Sequence, residues 1–218
     1  MTSKLIIFIG PIGSGKDFRA NEFLSDAKAF GYSMEKVCFA DELRECMWDL
    51  WGWRPKDDKD YEKFKCGTVS MYCGNFESSL FEVSGRGLLQ RLGTDVIRKR
   101  MPDFWAECWK KKVSNLLNNG KNVVCSDLRF PNELKTALTI ETDKNTDPID
   151  REFLFCNYRS ARYSLDGHES EVLAQKILED GYNDGDSLEF DYLWSIIPEV
   201  ERRIEEIQRK KKEYKNGK

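Results

Sequence analysis

The sequence contains one histidine, His168, in 218 residues. It therefore has no acid–base histidine pair, and the lone residue reads as a packing or capping group rather than a general base. The seven cysteines, Cys38, Cys46, Cys66, Cys73, Cys108, Cys125 and Cys156, include no C-x-x-C pair and are odd in number. Neither a disulfide framework nor a zinc site fits that scatter, and a reducing cytoplasm is the expected compartment. There is no excess of basic charge: 35 basic against 38 acidic residues give a net charge of −3. A protein that coats nucleic acid needs a large basic surface, so no nucleic-acid partner is expected, and any bound anion must be met by a few local Arg and Lys side chains. Long apolar runs are missing too. The N-terminal run, residues 5–9, is too short for a signal-peptide core or a membrane span, so no membrane association is expected. The chain also lacks internal repeats and low-complexity segments. It does have enough apolar material, 40% hydrophobic and 12% aromatic, to pack a single generous domain rather than remain disordered.

Short apolar runs alternate with helical patterns. Residues 4–9, "KLIIFI", end in Gly-Pro and read as a buried parallel strand. A helix is expected from about 15 to 30, a second strand at 36–39, and a helix from 41 to 51 capped by Asp41. Residues 52–84 carry Gly, Pro and charge clusters with little period and read as a long loop or insertion. Helices follow at about 86–100 and 103–119, then a strand at 122–127 and a helix with Pro131 in its first turn. Residues 151–158 read as a strand, 169–180 as a helix, 190–197 ("FDYLWSII") as a final strand, and Pro198 as the opening of a closing amphipathic helix. The basic tail reads as a solvated helix end whose cations suit the dipole. The alternation predicts an α/β fold, a parallel sheet with helices on both faces.

The stretch "GPIGSGKD", residues 10–17, nearly matches the phosphate-binding pattern G-x-x-x-x-G-K-[ST]. Its glycines allow backbone N–H groups to close around phosphate oxygens, and Lys16 can reach the outer phosphates. The strand before it and the helix after it are the context the motif requires, and the helix N-terminus adds partial positive charge. Asp17 stands where a hydroxyl would hold Mg²⁺; a carboxylate is also a hard oxygen donor. Asp127 ends an apolar strand at the sheet edge where ligands bind in open α/β folds. It is a candidate for holding Mg²⁺ or its waters, against the alternative of a helix N-cap. Arg129 is in the same loop and suits phosphate. In "GRGLLQRLGTDVIRKR", an α-helical wheel puts Leu88, Leu89, Leu92 and Val96 on one arc and Arg86, Gln90, Thr94 and Arg98 on the other. That second arc could offer a cation to a phosphate and an amide to a base, or be an ordinary solvated face. Arg159 and Arg162 flank a strand end, where two arginines could close over a transferring phosphoryl group. A phosphate acceptor is already anionic near neutral pH, its second pKa being about 6, so such a reaction needs positioning and charge neutralisation rather than a base.

Taken together, "GSGKD", "FADELRE", "GRGLLQRLGTDVIR", "DFWAECW", "VVCSDLRFPNE" and "GHESE" resemble, in order and spacing, the deoxynucleoside monophosphate kinases of tailed bacteriophages, over residues 4–210. The resemblance implies a P-loop kinase fold in one domain, 1–218, with an acceptor-binding segment at about 40–105 and a short lid at about 159–168. It implies transfer of the γ-phosphoryl group of ATP, with Mg²⁺, to a deoxynucleoside monophosphate in the host cytoplasm, by a monomer or homodimer. On it, Gly10, Ile12, Gly13, Ser14, Gly15, Lys16 and Asp17 hold ATP. Asp41, Arg44, Arg86, Gln90, Arg98 and Trp105 fall on the acceptor side. Lys16, Arg129, Arg159 and Arg162 serve the transfer, and Asp17 and Asp127 serve the metal, Asp127 through water. Phosphomevalonate kinase is a rival, since it shares a G-K-D loop and an S-D-x-R strand end, though the "LLQRLGT" helix speaks against it. A P-loop switch that hydrolyses ATP, and a scaffold that binds without reacting, are rivals of another class.

Overall fold

The computed structural model describes residues 3–71, 81–141, 149–157 and 169–216. Arg159, Arg162 and His168 lie outside the described residues, as does the expected lid. In chain order the elements are β1 (Lys4–Ile9), α1 (Lys16–Ala29), β2 (Met34–Lys36), α2 (Asp41–Trp51), α3 (Asp58–Cys66), β3 (Thr68–Met71), β4 (Phe81–Ser84), α4 (Gly85–Gln90), a π-helical stretch (Arg91–Arg98), α5 (Phe104–Asn118), β5 (Asn122–Leu128), α6 (Pro131–Thr139), β6 (Asp150–Phe155), a 3₁₀ turn (Glu169–Glu171), α7 (Val172–Glu179) and α8 (Phe190–Asn216). They form two compact units: residues 1–39 with 106–218, and residues 40–105.

The first unit is built on a four-stranded parallel sheet in the order β2-β5-β1-β6. β1 is interior, and from Leu5 to Ile9 both of its faces are buried, which is why that run is continuously apolar rather than alternating. Leu5, Ile7 and Ile9 pack on one side with Ala106, Trp109, Val113, Leu134, Leu138, Leu173, Ile177, Leu193, Ile197 and Val200, contributed by α5, α6, α7 and α8. Ile6 and Phe8 pack on the other side with Ala20, Phe23 and Leu24 of α1. The sheet therefore carries helices on both faces, as expected. The outer edge of β6 is covered by the segment before α8: the Phe155 N–H donates to the Asp186 carbonyl, and the Leu188 N–H to the Phe153 carbonyl. That pairing removes an exposed edge.

Two expectations fail here. The second strand is Met34–Lys36 and shares only Lys36 with the expected 36–39. Residues 190–197 are not a strand, and Pro198 does not open the last helix; both lie inside α8. The aromatic and β-branched residues of "FDYLWSII" favour strands, but Leu193, Ile196, Ile197 and Val200 are buried at helical spacing. Tertiary packing of that stripe outweighs the local preference and the missing Pro198 N–H.

The second unit contains α2, α3, the antiparallel β3–β4 hairpin, α4 and the π-helical stretch. Residues 52–84 are therefore not a featureless loop. Asp57 caps α3 by accepting the Asp60 N–H at 2.9 Å, and Phe64 stacks edge-on against Trp48 at 5.0 Å. An aromatic cluster of Trp48, Trp51, Trp53, Tyr61 and Phe64 holds the unit together. Asp41 is not the N-cap of α2. Ala40 holds that position, and Asp41, the first helical residue, pairs instead with Arg44 one turn on at 2.8 Å. The α-helical wheel drawn through residues 86–98 does not hold either. From Arg91 to Arg98 the backbone is π-helical, so side chains advance by a wider turn, and Val96 is 49% exposed instead of facing inward.

Candidate functional site

The 10–17 loop leaves the carboxyl end of β1. It is tightly built. The Ser14 N–H donates to the Pro11 carbonyl at 3.2 Å, and Gly15 enters α1 with φ of 93°, a left-handed conformation suited to glycine. At Gly10 the requirement is space rather than dihedral freedom. A Cβ there would overlap the Cys156 carbonyl oxygen and come within 2.8 Å of Ser14 Oγ. The loop closes around Lys16, whose ammonium donates to the Gly10 and Pro11 carbonyls, each at 2.6 Å, and lies 3.5 Å from Ser14 Oγ. Lys16 and Ser14 are buried.

Burial pushes the Lys16 ammonium down to about 8, and repulsion from Arg129 acts in the same direction, while Glu171 and Asp17 oppose it. Below pH 8 the folded chain holds a proton that burial disfavours. Relative to the ordinary value of 10.5, that costs about 3 kcal/mol of stability. The cost is present in full below pH 8 and fades between pH 8 and 10.5, where the unfolded ammonium is still protonated. An anion brought to the loop would offset it. Cys156, beside the loop, is held as a neutral thiol, its pKa pushed up to about 11 by burial and by Asp184, so it is no nucleophile at neutral pH.

Asp17, in the first turn of α1, accepts the Ser126 hydroxyl at 2.6 Å and the Lys36 ammonium at 3.1 Å. Ser126 is buried in β5 directly before Asp127, so the first turn of α1 is tied to the end of β5. Asp127 is not a helix cap. Its carboxylate accepts the Phe39 N–H at 2.8 Å and the Cys125 thiol at 3.5 Å, while the N-cap of α6 is Phe130. Glu133, buried in α6, caps that helix by accepting the N–H groups of Arg129 and Phe130 at 2.9 and 3.1 Å. This fixes the backbone of Arg129 whatever its side chain does. The Arg129 guanidinium lies 3.8 Å from Glu171, and Glu171 in turn accepts the Ile12 N–H of the loop at 2.7 Å.

The structure thus brings Lys16, Asp17, Ser126, Asp127 and Arg129 to the carboxyl edge of the sheet, where the strand order places ligands in open α/β folds. Ser126, Lys36, Glu133 and Glu171 are additions that motif spacing did not single out. In the second unit, Arg44 lies 5.4 Å over the Tyr61 ring as well as pairing with Asp41. Arg86 and Gln90 are exposed on α4, and Arg98 is half-buried at the end of the π-helical stretch. Trp105 is buried, and its indole N–H donates to the Gly93 carbonyl at 3.1 Å, so its place is in the packing that supports that stretch. Six cysteines are free thiols among the described residues. Among the described residues, too, no helix is long and apolar enough to cross a membrane, and no group of three or more His, Cys, Asp or Glu could hold a metal ion. No protein-family model matches the chain, and no curated protein matches it in sequence.

Proposed function

We propose that the protein is a kinase of the P-loop nucleoside monophosphate class, moving the γ-phosphoryl group of ATP onto the phosphate of a deoxynucleoside monophosphate. The observation that carries this reading is the 10–17 loop, wrapped around a buried, part-desolvated lysine at the carboxyl edge of a parallel sheet, with Arg129 across from it. The backbone N–H groups of the loop and the first turn of α1 bind triphosphate oxygens. Lys16 exchanges the Gly10 and Pro11 carbonyls for the outer phosphates, and Arg129 spreads charge over the transferring group. The resemblance of Asp41, Arg44, Arg86 and Gln90 to acceptor-side residues assigns the dNMP to the 40–105 unit, with Arg98 and Trp105 supporting it. By the same resemblance, Arg159 and Arg162 belong to the lid.

The oxygens of Asp17, Ser126 and Asp127 are hard donors. Two carboxylates without a larger protein cage suit Mg²⁺, which is bound through one or two carboxylates plus phosphates and waters. When bound, Mg²⁺ neutralises charge on the β- and γ-oxygens. Asp17 would hold it on the α1 side, oriented by the Ser126 hydroxyl, and Asp127 would reach it through water.

Two results are expected from this assignment. Asp17→Ala should raise the Mg²⁺ requirement by about tenfold or more and lower kcat, with Asp17→Ser restoring part of the loss; a variant with unaltered Mg²⁺ dependence would reduce Asp17 to a first-turn helix residue. Tripolyphosphate affinity, measured by calorimetry without metal, should fall as pH rises above 8, by up to about tenfold per pH unit, because binding requires the Lys16 proton. An affinity that stays flat from pH 7 to pH 10 would separate Lys16 from the anion.

A coupled ADP-release assay with ATP·Mg²⁺ and dAMP, dCMP, dGMP, dTMP or mevalonate phosphate tests the reading as a whole. ADP release stimulated by at least one dNMP is expected. Turnover confined to mevalonate phosphate would replace the acceptor, and hydrolysis indifferent to every acceptor would favour the ATP-driven switch.

A further inference from the structure

Glu171 reaches into the 10–17 loop from a distant part of the chain. Its Oε2 accepts the Ile12 N–H at 2.7 Å. Its Oε1 accepts the Ser170 hydroxyl at 3.2 Å and faces the Arg129 guanidinium at 3.8 Å. The side chain is only 19% exposed, so these contacts are made largely out of water, where charge-assisted bonds are strong. Chemically, the carboxylate does what a phosphate oxygen would do at this place: it takes a loop N–H with one oxygen and presents negative charge to an arginine and a buried lysine. It comes from the short Glu169–Glu171 turn. The neighbouring Glu169 on the same turn points elsewhere, to Gln208 at 3.0 Å and Lys211 at 3.8 Å.

Resting on the phosphate-loop reading above, we infer that Glu171 is a built-in competitor for the loop: its carboxylate holds the Ile12 N–H until a nucleotide phosphate displaces it. Two consequences follow. Phosphate binding carries the penalty of breaking a charge-assisted hydrogen bond, which weakens the hold of the loop on nucleotide and on product. Displacement also leaves Glu171 with Arg129, so the arginine stays tethered beside the loop as the phosphates arrive. Glu171 is on this account a positioning residue that sets affinity, not a catalytic one.

The test is tripolyphosphate titration by calorimetry on the full chain, comparing wild type with E171Q, E171D, E169Q and K16M, together with the amide proton shift of Ile12 in ¹⁵N-labelled protein. E171Q keeps the size and removes the charge, and E171D keeps the charge but shortens the reach. E171Q is expected to bind tripolyphosphate about tenfold more tightly, the worth of one charge-assisted hydrogen bond, and E171D is expected to bind more tightly than wild type as well. The Ile12 amide proton should move upfield in both, while E169Q should match wild type in affinity and in shift. Unchanged or weakened binding in E171Q and E171D overturns the inference and leaves the loop reading standing. An equal gain in E169Q also overturns it, by reducing the effect to general charge. If K16M binds tripolyphosphate as tightly as wild type, the anion is not in this loop, and the loop reading falls together with the inference.

Discussion

Arg129→Ala is expected to lower kcat by roughly 10³–10⁵, the range associated with an arginine that stabilises charge on a transferring phosphoryl group. The structure makes this a clean experiment. The backbone of Arg129 is held by Glu133, which accepts its N–H and that of Phe130, and Pro131 opens α6 immediately afterwards. Truncating the side chain removes a guanidinium that is 32% exposed and faces Glu171 at 3.8 Å, while the loop and the helix cap keep their bonds. Truncation also takes the cation away from the half-buried Glu171, a loss of about 1 kcal/mol, so thermal melts are needed to separate a rate loss from unfolding. Steady-state kinetics and thermal melts on the same preparation provide the comparison. A kcat within about threefold of wild type, worth roughly 0.7 kcal/mol, would remove Arg129 from the chemistry.

Gly10→Ala is expected to damage both fold and binding. Gly10 follows Ile9, whose carbonyl accepts the Cys156 N–H at 2.7 Å, so the chain at this point is clamped against the end of β6. An added methyl group would overlap the Cys156 carbonyl oxygen, a backbone atom that cannot swing aside as a side-chain tip can. Overpacking of this kind costs about 1–3 kcal/mol, or a fall in Tm of roughly 3–10 °C for a chain of this size. The same displacement moves the Gly10 carbonyl off Lys16, so tripolyphosphate binding should be lost even where the variant remains folded. Gly13→Ala is the informative comparison. No heavy atom lies within 4 Å of a Cβ built there, and the only penalty is φ of 77°, worth about 1–2 kcal/mol. If Gly10→Ala melts and binds like wild type, the close packing of loop against β6 is not what shapes the site.

The parts of the fold that could be read from the sequence are those where local pattern and tertiary role agree. β1 is apolar from Leu5 to Ile9 because that run is buried on both faces, and Gly10 with Pro11 marks its end. Helix α5 shows Trp109, Val113 and Leu117 at helical spacing because one stripe faces the sheet. Where the two disagree, reading fails. "FDYLWSII" has strand-forming residues and a following proline, yet it is helical because Leu193, Ile196, Ile197 and Val200 fit one buried stripe; that spacing was the available signal. The π-helical stretch could not be read from a 3.6-residue wheel, and α3 was obscured by the charged residues around its aromatic pair Tyr61 and Phe64. The site follows the same logic. Lys16, Asp17, Asp127 and Arg129 stand in short motifs at strand ends and were legible. Glu171 was not, because its partner Ile12 is 159 residues away and no local pattern records such a contact.

In the proposed function, the loop around Lys16 delivers a phosphoryl group to another phosphate. The most direct measurement is ³¹P NMR of the protein with ATP·Mg²⁺ and the dNMP that most stimulates ADP release. A deoxynucleoside diphosphate β-phosphate resonance is expected to grow in step with that of ADP, with no accumulation of inorganic phosphate, and both signals are expected to be lost in K16M. Inorganic phosphate as the accompanying product, or a diphosphate signal that K16M leaves intact, would contradict the proposed function.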